Sequence, residues 1–355
     1  MTTLRARTLL PVLAGLMLIA TACGSDSAAS TTDSESNAAP ATGAPATDNS
    51  QSVGEIATVV VTTNILGDVV SELLDGQAEV ITIMPVGADP HEFQASAQEI
   101  NQMLNADALI VNGANFEEGL IDVIESAEED GVPIYEAIST VKTLEFGEGD
   151  GGHAGHGDED HDDHGDEDHD DHDGHDHEGV DPHFFTDPVR MSSAVQGIVD
   201  FLAEQVGSLD TDALDASADE YIAQLAAVDA EVTSLVDTVD EDKRVLITSH
   251  EVFAYFADSY GFEVVGVIIP GGSTTDAASA GELAALAKTI EAEGIPAIFS
   301  DTSSSDELSK TLASEVGDIV IVELYTESLG PADSDGATYL AMVRTNAERI
   351  AAALG

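Results

Sequence analysis

The sequence contains few of the residues on which several protein classes depend. Only one of its 355 residues is a cysteine, so no disulfide can form within the chain. Lysine and arginine together number 10, against 69 aspartates and glutamates. So acidic a chain is unsuited to nucleic acid or to an anionic membrane surface. There is also no Gly-x-Ser-x-Gly elbow, no P-loop and no dinucleotide-binding fingerprint in a strand-to-helix context. These absences argue against nucleic-acid-binding proteins and several common enzyme classes.

Residues 1–22 have the layout of a secretory signal peptide, with two arginines, an apolar run from Leu9 to Ala20 and small residues before Cys23. The apolar run is too short to span a membrane as a mature helix. Ala20-Thr21-Ala22-Cys23 resembles a lipobox, although Ala20 stands where bacterial lipoboxes usually have leucine. We predict cleavage before Cys23 and lipidation of its sulfur, which would anchor the protein to the outer face of the cytoplasmic membrane without spanning it. A buried free thiol is the alternative.

The rest of the chain divides by composition and pattern. Residues 23–54 contain almost no large apolar side chain, which predicts a disordered tether. The remaining chain is too long for one average domain and suggests two. The predicted segments are an N-terminal lobe (55–149), a His/Asp-rich loop (150–179), the end of the N-terminal lobe (180–211), a linking helix (212–239) and a C-terminal lobe (240–355).

Short β-branched runs alternate with amphipathic stretches, which is the βα rhythm of a parallel sheet. The predicted strands are 58–62, 79–83, 108–112 and 132–135 in the first half, and 244–247, 263–269, 297–299 and 319–322 in the second. Three capping boxes, at Ser96/Glu99, Ser279/Glu282 and Ser304/Glu307, predict helix starts. The fold class is therefore α/β, with two similar four-stranded lobes joined by a long helix.

Eight of the eleven histidines lie in the acidic loop, interleaved with carboxylates. Imidazole and carboxylate are both good zinc ligands, so we predict a loop that collects metal weakly and with little geometric selectivity. A solvated acidic spacer is the alternative, although charge alone would not require so many imidazoles. The eight are His153, His156, His161, His164, His169, His172, His175 and His177.

The other three histidines, His91, His183 and His250, all fall in predicted loops. His91 and His250 follow strands of different lobes, and His183 enters from the connection between them. Because ligands of open α/β sheets bind at the carboxyl ends of the strands, we predict that the three form one metal site. The alternative for any one of them is an ordinary hydrogen-bonded loop histidine.

Tetrahedral zinc needs a fourth ligand beyond three imidazoles. Glu327 and Asp301 both follow predicted strands, and sequence position does not choose between them. A zinc hydrolase of the His-Glu-x-x-His type is disfavoured, because Ala95 and Ala254 stand where the second histidine would follow His91 and His250. We therefore predict no catalytic residues and no bound organic cofactor.

Several segments together resemble the zinc- and manganese-binding solute-binding proteins of ABC importers. The resemblance covers nearly the whole chain after the tether. It rests on Thr62-Thr63-Asn64-Ile65-Leu66-Gly67-Asp68-Val69-Val70, Gly87-Ala88-Asp89-Pro90-His91, Asp181-Pro182-His183, Thr186-Asp187-Pro188 and Ser249-His250-Glu251-Val252-Phe253-Ala254-Tyr255-Phe256. Local departures are Phe184, Phe185, Val189, Arg190 and Val252, none of which removes a ligand.

The resemblance implies two α/β lobes with one metal in the cleft between them, held by His91, His183, His250 and, in preference to Asp301, Glu327. It implies a monomeric receptor that delivers its ion to the permease of an importer. A histidine at position 250 favours Zn²⁺ as cargo over Mn²⁺, which suits harder oxygen ligands. A manganese receptor, a secreted metal buffer or adhesin, and a zinc hydrolase are the alternatives.

Overall fold

The computed structural model describes residues 56–147, 179–317 and 319–355. The predicted signal peptide, the tether with Cys23 and the eight histidines of the acidic loop lie outside the described residues. In the described part of the chain, no helix combines the length and the apolar character needed to cross a membrane.

Two four-stranded parallel sheets organise the chain, as predicted from its alternating pattern. The first has the order β2-β1-β3-β4 and the second the order β6-β5-β7-β8. The strands are β1 Thr58–Val61, β2 Glu79–Thr82, β3 Ala108–Val111, β4 Ile134–Glu136, β5 Val245–Thr248, β6 Glu263–Val267, β7 Ala297–Asp301 and β8 Val320–Leu324.

Helices cover both sheets and connect the lobes. The α-helices are α1 Asn64–Leu74, α2 Ala97–Leu104, α3 Ile121–Glu129, α4 Pro188–Gln205, α5 Thr211–Val236, α6 Ala254–Tyr260, α7 Ala280–Glu293, α8 Glu307–Val316 and α9 Tyr339–Leu354. Short 3₁₀ helices lie at Glu118–Leu120, Ala137–Thr140, Phe184–Thr186 and Glu241–Lys243.

The two faces of each sheet pack into different cores because successive strand residues point to opposite sides. In β1, Val59 and Val61 join the large core that runs through both lobes, whereas Val60 packs with the outer cluster around Met103 and Leu109. The C-terminal lobe has an equivalent outer cluster, which consists of Ile247, Ile268, Leu286, Ala287, Ile290, Ile295, Ile298 and Leu312. One continuous core therefore holds the lobes together.

Helix α5 contributes buried side chains to that shared core along most of its length. It packs against α4, against α1 of the first lobe and against α9 of the second. Its 26 residues span about 39 Å at 1.5 Å per residue. The buried side chains recur every three or four residues and are Leu214, Ala218, Tyr221, Leu225, Val228, Val232 and Val236. The helix ends at Val236, before the predicted Val239, because the last residues form a turn closed by i→i−3 hydrogen bonds.

Polar contacts also join the lobes. Asn64 at the start of α1 accepts a hydrogen bond from the amide of Leu329 at 2.7 Å, and its side-chain amide donates to Ser328 at 3.0 Å. Thr274 donates to Asp89 at 2.7 Å. These contacts tie the loop after β2 and the start of α1 to loops of the second lobe.

Some of the predicted local structure is formed, and some of it differs. The capping boxes at Ser96 and Ser279 are formed. The one predicted at Ser304 is wrong, because α8 begins at Glu307 after Asp306, whose carboxylate pairs with Lys310 one turn later. Strand β4 begins two residues later than predicted, since Pro133 has no amide hydrogen to donate to the sheet.

Leu225→Ala is expected to lower the free energy of unfolding by about 2–5 kcal/mol, because Leu225 is fully buried in the core between the lobes. Urea denaturation of the metal-free protein measures this loss. The adjacent Gln224 is exposed, so Gln224→Ala is the matched control and should shift the free energy by less than about 0.5 kcal/mol. Equal effects of the two substitutions would contradict this placement of α5.

Candidate metal centre

Four buried side chains from distant parts of the chain meet in the cleft between the lobes. They are His91, His183, His250 and Glu327, and one ligand atom of each lies within 4.8 Å of the others. Their exposed fractions are 4 %, 0 %, 0 % and 1 %. This is the one group of three or more potential metal ligands found in the ranges that the structure describes.

The sheets explain how these side chains come together. His91 follows β2, His250 lies two residues beyond β5, and Glu327 lies three residues beyond β8. These positions are at the carboxyl ends of parallel strands, where side chains of open α/β sheets converge on a ligand. His183 comes from the connection between the lobes, immediately before the 3₁₀ helix Phe184–Thr186.

One carboxylate oxygen lies at the centre of the group. Glu327 Oε1 is 2.8 Å from His91 Nε2, 3.2 Å from His183 Nε2 and 3.1 Å from His250 Nε2. Ligand atoms of a tetrahedral zinc ion, at bonds of about 2.1 Å, lie about 3.4 Å from each other. The three distances from Glu327 Oε1 to the imidazole nitrogens are therefore close to the separation between ligand atoms that such an ion requires.

The far nitrogens of the three rings are also held. His91 Nδ1 lies 2.9 Å from Glu118 Oε1, and His183 Nδ1 lies 2.7 Å from Asp181 Oδ1. His250 Nδ1 has a longer contact of 3.3 Å with the hydroxyl of Ser249. Carboxylate partners favour a proton on Nδ1, which leaves the Nε2 lone pair directed into the site.

Charge inside the pocket is balanced between the carboxylate and the imidazoles. Burial alone would raise the pKa of Glu327, but the nearby His250 and His91 hold that pKa well below its ordinary value. Burial likewise opposes the charged form of His91, yet the carboxylates of Glu327 and Glu118 raise its pKa to about 10. The pKa of His183 is raised against its burial by Asp181 and Glu327. A cation entering the site would therefore displace protons.

The second oxygen of Glu327 supports the fit of a cation. Glu327 Oε2 is buried and makes no hydrogen bond within the described residues. A buried carboxylate oxygen without a donor is costly, and a metal ion would satisfy it. The donor set of three imidazole nitrogens and a carboxylate matches the ligand preferences of zinc and its neighbours in the first transition series.

Asp301, the other candidate for the fourth ligand, is not part of this group. It ends β7 and is buried, but its two oxygens accept hydrogen bonds from the amide and the hydroxyl of Ser303 at 2.9 Å and 2.6 Å. Burial and the nearby charge of Glu327 raise its pKa. Both carboxylate oxygens of Asp301 are therefore already hydrogen-bonded to Ser303, two residues later in the chain.

Sequence reasoning missed the carboxylates behind the histidines. The role of Asp181 could have been predicted from the sequence, because the tripeptide Asp-Pro-His occurs twice, at 89–91 and 181–183. In both copies the aspartate accepts a hydrogen bond from the histidine amide at 2.9 Å. Glu118 had no such signal among 69 acidic residues.

The sequence profile of the family described as zinc-uptake complex component A, periplasmic, matches residues 59–353. The chain belongs to this family. The match extends from β1 to α9 and includes all four side chains of the buried group. The predicted resemblance to metal-binding receptors of ABC importers is thereby confirmed.

Individual relatives carry names for different metals. The chain is 24 % identical over 304 residues to the manganese-binding lipoprotein MntA of Halalkalibacterium halodurans, with 85 % of this chain and 89 % of MntA covered. It is 28 % identical over 303 residues to the zinc-binding protein TroA of Treponema pallidum, with 83 % and 88 % covered. It is 23 % identical over 305 residues to the iron ABC transporter substrate-binding lipoprotein MtsA of Streptococcus pyogenes, with 83 % and 88 % covered.

The fold comparison agrees with the sequence comparison. The solved structure of TroA superposes with a TM-score of 0.72 at 27 % identity and covers 85 % of this chain and 100 % of TroA. The chain is thus a metal-binding, substrate-binding component of an ABC transporter. These relatives are named for metal binding and, in MtsA, for substrate binding in an ABC transporter, which fits the expectation that the chain is not an enzyme.

The metal-free protein should lose stability as the pH rises above neutrality. His91 has a pKa raised to about 10, against about 6.5 when unfolded. The stabilisation from its protonated form is therefore fully present below about pH 6.5 and is lost as the pH rises towards about 10. Urea denaturation across this range should show a falling free energy of unfolding. In a His91→Gln variant this fall should be much smaller, and equal slopes in the two proteins would contradict the assignment.

Proposed function

We propose that this protein is a zinc receptor that binds one ion through His91, His183, His250 and Glu327 and delivers it to an ABC importer. The observation that carries the proposal is the convergence of three imidazole nitrogens on one carboxylate oxygen, at 2.8–3.2 Å, in a pocket closed to solvent. Imidazole nitrogens and a carboxylate oxygen are the ligands that proteins use to bind zinc.

The donor atoms favour zinc over manganese or iron as cargo. Three nitrogens and one carboxylate form a four-ligand set, whereas manganese is better served by more numerous, harder oxygen ligands. The names of MntA and MtsA support manganese and iron as alternatives within the same family, and that of TroA supports zinc. Copper, nickel and cobalt would also bind such a site in solution.

Delivery requires a partner that accepts the ion. Membership of this family indicates what kind of partner that is. The partner is the permease of a metal importer, which the receptor meets as a monomer. Because metal binding displaces protons from the pocket, the affinity falls as the pH falls. No bond in a substrate is made or broken, and no residue is assigned a catalytic role.

The eight loop histidines are proposed to collect zinc for this site. The described ends of the loop support this arrangement. The amide of Phe146 donates to Gly179 O at 3.1 Å, and the amide of Asp181 donates to Leu144 O at 2.9 Å. The described residues on the C-terminal side of the loop therefore lead directly into Asp181-Pro182-His183, which carries a proposed ligand.

Attachment by Cys23 is proposed to keep the receptor on the outer face of the cytoplasmic membrane. MntA and MtsA are both named lipoproteins. The sequence before Cys23 and the apolar-poor stretch 24–54 fit a lipid anchor followed by a tether. Such a tether would leave the lobes free to reach a permease in the same membrane.

The cargo is tested by competitive titration of the mature protein with Zn²⁺ and Mn²⁺. We expect one tight zinc site, with manganese weaker by at least about 100-fold. His183→Ala should abolish the tight site, because it removes a ligand from the centre of the group. The matched control is His175→Ala in the loop, which should leave the tight site intact.

A form lacking residues 150–179 separates the loop from the buried site. It should bind fewer ions in total but keep the one tight site. Loss of all tight binding on this deletion would refute the proposed ligands. A preference for manganese would retain the family and overturn the cargo.

Cys23→Ser tests the anchor. The wild-type protein produced in a bacterial host should fractionate with membranes and incorporate labelled fatty acid, since the acyl chains are attached through the cysteine sulfur. The variant should incorporate no label and should be released from the membrane fraction. Retention of the label in the variant would contradict lipidation at this position.

A further inference from the structure

Phe116 lies against two of the proposed ligands at once. Its ring centroid is 5.2 Å from that of His91, at an interplanar angle of 79°, and 5.5 Å from that of His183, at 90°. The two imidazole centroids are 6.0 Å apart. One buried aromatic ring, 1 % exposed, therefore makes edge-to-face contacts with both.

We propose that Phe116 determines metal specificity by keeping water out of the space beside His91 and His183, so that the site accepts four-coordinate ions and disfavours six-coordinate ones. The proposal rests on the proposed ligand set of three histidines and Glu327. The donor atoms alone discriminate only in part between zinc and manganese. Under this proposal an apolar side chain, Phe116, supplies the rest of the discrimination.

The number of available ligands makes the exclusion of water decisive. The buried group supplies four ligand atoms, and a fifth is available if Glu327 also binds through Oε2, which has no hydrogen bond within the described residues. Octahedral coordination, which manganese favours, then needs at least one water molecule. A water beside a bound ion needs space and polar neighbours, and the ring of Phe116 provides neither.

Phe116 is supported from behind and cannot easily withdraw. The ring of Phe185, also 1 % exposed, lies 5.3 Å from that of Phe116 and 5.9 Å from that of His183. Packed aromatic rings of this kind move only if their neighbours move, because protein interiors are close-packed.

The backbone before Phe116 adopts an unfavourable conformation that fixes its position. Gly113, Ala114 and Asn115 have φ angles of 89°, 52° and 58°, all in the left-handed region. An alanine there is strained, and such strain persists where the surrounding structure enforces it. The enforcing contacts come from the next residue, Glu117, whose buried carboxylate accepts hydrogen bonds from Thr62 Oγ1 at 2.5 Å and from the amide of Asn112 at 2.6 Å.

The test replaces the ring and measures both coordination and selectivity. Phe116→Leu keeps an apolar side chain but cannot contact both imidazoles, and Phe116→Ala opens more space. Phe256→Leu is the matched control, because Phe256 is similarly buried and its ring packs against Phe253, Tyr260 and Phe262. All three variants and the wild type are titrated with Zn²⁺ and Mn²⁺, and their Co²⁺ forms are examined by visible absorption.

The expected results separate this inference from the proposed function. Wild type and Phe256→Leu should give the intense visible absorption of four-coordinate Co²⁺. In Phe116→Leu and Phe116→Ala that absorption should weaken towards the five- or six-coordinate form. The preference for zinc over manganese should fall on the order of tenfold, through a gain in manganese affinity relative to zinc.

Two outcomes would overturn the inference. If the Phe116 variants match Phe256→Leu in both the Co²⁺ spectrum and the selectivity, Phe116 plays no part in coordination, while the proposed function stands. If the wild type itself shows no tight site and no four-coordinate spectrum, the ligand set fails and this inference fails with it. A variant that does not fold is identified by its far-UV circular dichroism, and the other Phe116 variant then carries the test.

Discussion

The contact between Glu327 Oε1 and three imidazole nitrogens is the interaction on which the rest of the structure depends. A single buried carboxylate oxygen with three nitrogen neighbours at 2.8–3.2 Å is stabilised by positive charge, either as protons on the rings or as a metal ion. The raised pKa of His91 and the lowered pKa of Glu327 express the first case. The family's transport role corresponds to the second, in which a cation takes the place of the protons.

The architecture follows from the need to bring four side chains from 91 to 327 to one point. Two parallel sheets place the carboxyl ends of β2, β5 and β8 at the same cleft. The connection before α4 adds His183, and α5 packs against helices of both lobes. Carboxylates behind His91 and His183 then direct the rings inward. The site is thus assembled by topology and finished by local hydrogen bonds.

Much of this arrangement could be predicted from the sequence because it is encoded in period and position. The strand pattern placed His91 and His250 after predicted strands. His183 stood out because it is the only other histidine outside the acidic loop. The choice between Glu327 and Asp301 could not be made from position, since both follow strands. It depends on the loop after β8, which turns Glu327 inward, whereas Asp301 is engaged by Ser303. Phe116 and Glu118 could not be found from the sequence, because their contacts join segments distant in the chain and leave no periodic trace in either.

A site this buried must open for an ion to leave. The contacts between the lobes show which interactions oppose that opening. Moving the loop that carries Glu327 would break the hydrogen bonds of Ser328 and Leu329 with Asn64 and of Ser328 with the amide of Gly87. Each is worth about 1 kcal/mol net, far less than the continuous core around α5. Tyr325 and Leu329 of the same loop also pack into the shared core, so the loop is held by apolar as well as polar contacts. Opening the site on this side would therefore disturb the edge of the core as well as the hydrogen bonds between the lobes.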